Sequence, residues 1–156
     1  MNGYEAALQR AADKGYKVIE HCKFQSNSDG LVCGRIIGLS DKLETQSQKL
    51  CVLTEELAHT EISISDITDP AHQPNRHEEL LARRRSHDML IGIPGLISAI
   101  EAGCQSRYEA AEFLGVTEEF LQAAVDQYKA RHGIWVAINK TDYLCLEPLG
   151  VFRGMG

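Results

Sequence analysis

From Gln46 to His59 the chain contains neither proline nor glycine, and Leu50, Leu53 and Leu57 recur at the three- and four-residue spacing of one buried helical face. The spacing predicts a helix, and the helix limits what its polar residues can do. Glu55 and His59 stand one turn apart on one face with Glu56 beside them, so two carboxylates and an imidazole converge on a small volume. The string Glu55-Glu56-Leu57-Ala58-His59 differs only in its first residue from H-E-x-x-H, in which two histidines at i and i+4 bind zinc and the Glu between them acts on water. A carboxylate oxygen ligates zinc at about 2.0–2.2 Å, so Glu55 can stand where the first histidine would. The competing reading is an amphipathic helix with a solvated acidic face, and spacing alone leaves both open.

With 156 residues, 44% of them hydrophobic and 24% charged, the chain is long enough and apolar enough for one compact domain with its own core, and too apolar for a disordered one. A net charge of −6 excludes chain-wide attraction to nucleic acid, so any DNA contact would need a local basic patch. The sequence holds no apolar run of about 18 residues and no basic-then-apolar leader after Met1, so neither a membrane-spanning helix nor a signal peptide is expected, and the cytoplasm is the expected compartment. Cys22, Cys33, Cys51, Cys104 and Cys145 are odd in number and never spaced as C-x-x-C. They are expected to be reduced and mostly buried, which leaves His, Glu and Asp as the candidate metal ligands.

Glu5 to Lys14 reads as a helix stopped by Gly15. Tyr16–Phe24 and Leu31–Leu39 read as two strands around a turn at Ser26–Gly30, a hairpin ahead of the motif helix. Thr60–Ile67 alternates apolar and polar before Asp69-Pro70 and Pro74 break it into a loop, and a helix is expected from about Arg76 to Ile91. That helix opens with His77-Glu78-Glu79-Leu80-Leu81, which has Leu81 where a second histidine would be needed. Arg83-Arg84-Arg85 cannot form one basic face, because successive helical residues point about 100° apart.

Helices are expected over Gly95–Ala102, Ser106–Leu114 and Thr117–His132, followed by a hairpin of Trp135–Ile138 and Tyr143–Leu146 turning at Asn139–Asp142. Ala111, Gly115 and Leu121 sit where a helix-turn-helix places its small residue, turn glycine and core residue. The second helix nevertheless opens with Thr117-Glu118-Glu119, and acidic residues there repel phosphates, so no direct nucleic-acid binding is expected. The element order gives a mixed α+β fold, mostly helical, with a small N-terminal sheet, the motif helix and a C-terminal helical subdomain ending in a β-hairpin. The expected division is residues 1–93 as the motif-bearing core and 94–156 as the helical subdomain and hairpin.

Taken together, these pieces resemble the ImmA/IrrE family of metallo-endopeptidases, in particular its small phage and mobile-element members, from about Gly30 to Phe152. The resemblance rests on the Arg35–Ser40 strand, Glu55-Glu56-Leu57-Ala58-His59, the Glu-x-x-Ala pattern at Glu79–Ala82, the helical segment around Ala111–Thr117 and the Glu147–Val151 ending. It implies a zincin-like motif helix in which His59 and Glu55 are metal ligands and Glu56 is the general base. It places the third ligand at Glu79, with its neighbour Glu78 next in line. The implied cofactor is zinc, with manganese possible, and the implied protein substrate is a helix-turn-helix repressor encoded by a phage or prophage.

With Glu55 as a ligand, two carboxylates and one imidazole make the shell around Zn²⁺ nearly neutral and the metal less able to acidify water. That implies slower hydrolysis at neutral pH, a preference for a harder metal such as Mn²⁺, or a site kept as a structural or binding surface. The other reading is therefore a catalytically silent family member that binds a repressor or a toxin–antitoxin partner without cutting it. His87 and Tyr143 are open as groups that stabilise an oxyanion, and His21, His72, His77 and His132 have no motif around them.

Overall fold

The computed structural model describes residues 2–62 and 75–154, and its chain divides into two compact units, Met1–Met89 and Leu90–Gly156. Mixed α+β architecture is what the structure shows. The first unit opens with α1 (Gly3–Asp13), where Asn2 Oδ1 accepts a hydrogen bond from the Glu5 N–H and Tyr4, Ala7 and Ala11 form the buried face. Gly15, at φ 84°, then turns the chain into β1 (Lys17–Cys22).

The expected second strand, Leu31–Leu39, is two strands. Gly34 adopts φ 61°, a conformation that favours glycine, and reverses the chain between β2 (Gly30–Cys33) and β3 (Ile36–Ser40). The expected pairing of the first two strands is also overturned. β3 lies in the centre, parallel to β1 and antiparallel to β2, so β1 and β2 are the two edges. Burial explains the order: four of the five residues of β3 are buried, as a central strand requires, whereas β1 and β2 alternate.

Helix α2 (Gln46–Ile62) begins with a reciprocal cap. Thr45 Oγ1 accepts from the Gln48 N–H at 3.1 Å, and Gln48 Oε1 accepts from the Thr45 N–H at 3.0 Å. Leu50, Leu53 and Leu57 are buried, as their spacing requires, and the helix packs against α1, β2 and β3. Thr60, Glu61 and Ile62 continue α2 and do not begin a strand; the rest of that expected alternation and the loop to Pro74, with His72, lie outside the described residues. Helix α3 (Arg76–Leu90) follows, capped by Asn75, whose Oδ1 accepts from the Glu78 N–H at 2.8 Å. The three consecutive arginines diverge as their spacing demands. Arg85 pairs with Glu61 at 3.0 Å, Arg84 is half-buried and Arg83 is exposed.

In the second unit, α4 (Gly92–Glu101), α5 (Arg107–Leu114) and α6 (Glu118–His132) precede an antiparallel sheet of β4 (Trp135–Ala137), β5 (Asp142–Leu146) and β6 (Leu149–Arg153). The expected C-terminal hairpin thus gains a third strand, because the chain reverses again at Glu147-Pro148. Between α5 and α6, Gly115 adopts φ 73° and Thr117 Oγ1 accepts from the Phe120 N–H, which makes the helix-turn-helix outline. Arg107 pairs with Glu118 across that turn at 3.3 Å. All five cysteines are free, but only Cys51 and Cys145 are buried, which corrects the expectation that most would be. Among the described residues no helix is long and apolar enough to cross a membrane.

Candidate functional site

The leucine spacing of α2 decides the placement of the site. Leu53 and Leu57 point to the core, so Glu55, Glu56 and His59 fall on the half-buried flank of the helix. Helix α3 brings Glu79 to the same place, with Glu79 Oε2 3.4 Å from His59 Nε2. Glu78, the neighbour in line for the same role, is turned inward: it is buried, and its Oε1 accepts from Asn75 Nδ2 at 3.3 Å. Both acids favour the charged imidazole, and Glu79 pairs with it directly.

The site carries more negative charge than its surroundings offset. Burial, followed by the charges of Glu55 and Glu79, pushes the Glu56 carboxyl up to about 8. Glu55 is raised first by burial, with Glu79 and Asp29 adding to the rise and Arg83 opposing it. His59 is lowered by burial and, to a smaller extent, by Arg83, against the pull of Glu79 and Glu78. Three carboxyl groups and an imidazole meeting in one half-buried place favour a cation, and their oxygens and nitrogen are the donor types zinc and manganese accept. The residues therefore fit a divalent metal by chemistry and charge. As the side chains stand, no group of three or more His, Cys, Asp or Glu among the described residues has metal-holding spacing, and the His59 and Glu79 atoms suited to a metal face one another.

Three neighbours of the site carry no motif in the sequence. Arg83 lies one turn beyond Glu79 on α3, close enough to act on Glu55 and His59, and that i+4 spacing is the signal that could have found it. Asp29 reaches Glu55 from the turn before β2, which no local pattern foretells. Gly30 is the third. A Cβ there would lie 2.7 Å from Val52 Cγ1 and 3.0 Å from Glu56 Cγ, so only glycine lets β2 press against the Glu56 side chain. Among the described residues no strand pairs with β2 on its other side.

His87 is buried within α3, whereas His21, His77 and His132 are exposed; Tyr143 belongs to β5 of the second unit. Compared with family models, with curated proteins and with solved structures, the chain matches none.

Proposed function

We propose that this chain is a cytoplasmic metal-dependent endopeptidase of the ImmA/IrrE type, acting on a partner helix-turn-helix repressor of a phage or mobile element. The observation that carries the reading is the meeting of Glu55, Glu56 and His59 from α2 with Glu79 from α3 in one half-buried, acid-rich place. Glu55, His59 and Glu79 would hold zinc or manganese. When bound, the cation supplies Lewis acidity toward a peptide carbonyl and toward water.

The protein's own residues supply the rest. Glu56, raised to about 8 without a cation, falls toward neutrality when a positive charge sits beside it, and so becomes a base matched to the working pH. It takes the proton from water and delivers it to the leaving amine nitrogen. The edge of β2, which no described strand covers, offers backbone donors and acceptors to an extended peptide, and Gly30 keeps that strand close to Glu56. Arg83, exposed at the border of the site, is positioned to meet a carbonyl or carboxylate of such a peptide.

A second reading is favoured by Arg83 itself, which already sets a positive charge beside Glu55. In that reading the chain is a silent relative that holds its repressor or toxin–antitoxin partner without cutting it. Incubating candidate repressor with the wild type and with Glu56→Gln separates the two. A peptidase loses cleavage in the variant, while a pure binder shows no cleavage in either form and the same partner effect in both.

A further inference from the structure

The sheet of the second unit has two unlike faces. One carries Leu144, fully buried, and packs against α4 and α6. On the other, the register sets Trp135 opposite Cys145 and Cys145 opposite Gly150, and in the next row Ala137 opposite Tyr143 and Tyr143 opposite Phe152. Trp135, Tyr143 and Phe152 are 51%, 42% and 53% exposed. Cys145 and Gly150 are small enough for the indole to reach across β5, where it meets the Phe152 ring edge-on with centroids 5.1 Å apart. Ala137 stands two residues from Trp135 and directly opposite Tyr143, so its methyl floors a notch with an aromatic ring on each of two sides.

Size, charge and hydrogen bonding select the occupant. Three half-exposed aromatic rings have on the order of 100 Å² each left to bury, against about 800 Å² per partner in a stable interface. The face is therefore too small for a second copy of the chain and suits a short linear segment. Its two rows hold no charged residue, and Arg153, next to Phe152, is held by Asp142 on the opposite face. A nucleic-acid strand would find rings for its bases and no cations for its phosphates. The Trp135 N–H and the Tyr143 hydroxyl have no hydrogen-bond partner among the described residues. A helix engages its own carbonyls, and an extended strand pairs along a sheet edge, but a polyproline II segment makes no internal hydrogen bonds and keeps its carbonyls available.

We propose that this aromatic face binds a short proline-rich segment of a partner protein in the polyproline II conformation. One proline ring sits on Ala137 between Trp135 and Tyr143, and backbone carbonyls accept from the indole N–H and the tyrosine hydroxyl. The site lies wholly in the second unit and does not rest on the peptidase reading.

Trp135 is the single tryptophan of the chain, so its emission reports directly on the site. Titrating the full chain with a decaproline peptide is expected to give a saturable blue shift with one-to-one stoichiometry, and a Gly-Ser decapeptide none. Ala137→Leu, which fills the notch and keeps both rings, should abolish the shift. Tyr143→Phe, which removes one donor, should weaken binding several-fold, and Trp135→Ala, followed by calorimetry, should weaken it about tenfold or more. If Ala137→Leu does not fold, the other two variants decide. No shift with decaproline, an equal shift with the Gly-Ser peptide, or decaproline binding that these variants leave intact would each overturn the proposal. So would oligothymidylate binding more tightly than decaproline, which would give the face to nucleic acid, or a dimer that Trp135→Ala dissociates, which would give it to a second copy.

Discussion

Acidic residues do opposite things in the two units. In the second unit Asp142 is held down to about 2, chiefly by hydrogen bonds from Asn139 and Arg153, with Thr141 and the Gly154 N–H adding to them. In the first unit Glu56 is pushed up to about 8 by burial and by Glu55 and Glu79. Asp142 is surrounded by donors supplied by its own turn and the neighbouring strand, so its charge helps to fold the hairpin. Among the described residues Glu56 and its neighbours face one another with Arg83 in opposition, so much of their charge is left for something outside the chain to offset. A carboxylate satisfied within the fold marks architecture, and a group of them set against each other marks a site.

The contrast can be tested from its strongest consequence downward. Glu56→Gln should reduce repressor cleavage by about 10²–10⁴-fold, the usual share of a general base, while the metal content stays that of the wild type. Cleavage near the wild-type rate would place the reaction elsewhere. The second consequence concerns stability against pH in chelator-treated protein. The folded-state value of Glu56 lies above its unfolded value of 4.5, so the stability it allows is complete below about pH 4.5 and is lost as pH rises through about 8. The unfolding free energy from denaturant titrations should therefore fall over that window by an amount on the order of a few kcal/mol in wild type, and much less in Glu56→Gln. A flat wild-type profile would mean that Glu56 is not held up by burial and by its acidic neighbours.

Gly30→Ala should cost about 1–3 kcal/mol through overpacking against Val52 and Glu56, and it should impair cleavage by more than that loss of folded protein accounts for. Thermal melts and specific activity on the same preparation would show whether β2 is tied to Glu56. The smallest effect belongs to the second unit. Asp142 is lowered, so its stabilisation is present above an unfolded value near 3.8 and vanishes as pH falls through about 2. Asp142→Asn should lower the melting temperature modestly at neutral pH and converge with wild type in strong acid. A difference that persists in acid would assign the effect to packing.

Much of this arrangement is legible in the sequence because it is local. The leucines of α2, the glycine stop after α1, and the capped helices α5 and α6 are each written within a few residues, and the structure has them where periodicity puts them. The strands were harder to read. Gly34 within an apolar run is equally consistent with a bulge and a reversal, and the central place of β3 depends on pairing with β1 across a long separation. At the site, the meeting of Glu55, Glu56 and His59 follows from helical spacing, whereas Glu79 was indicated by resemblance and not by spacing. Asp29 and Gly30 reach α2 only through the fold, and Arg83 stands out from Arg84 and Arg85 only once Glu79, one turn before it, is placed at the site.

Elemental analysis of the purified, reconstituted protein, beside His59→Ala, probes the site without reference to any substrate. About one zinc or manganese per chain in the wild type and none in the variant is the expected result, since His59 is the one imidazole among three carboxylates. A wild-type protein that stays metal-free after reconstitution at neutral pH would contradict it, and would leave Arg83 as the cation that the described residues bring to the acid-rich site.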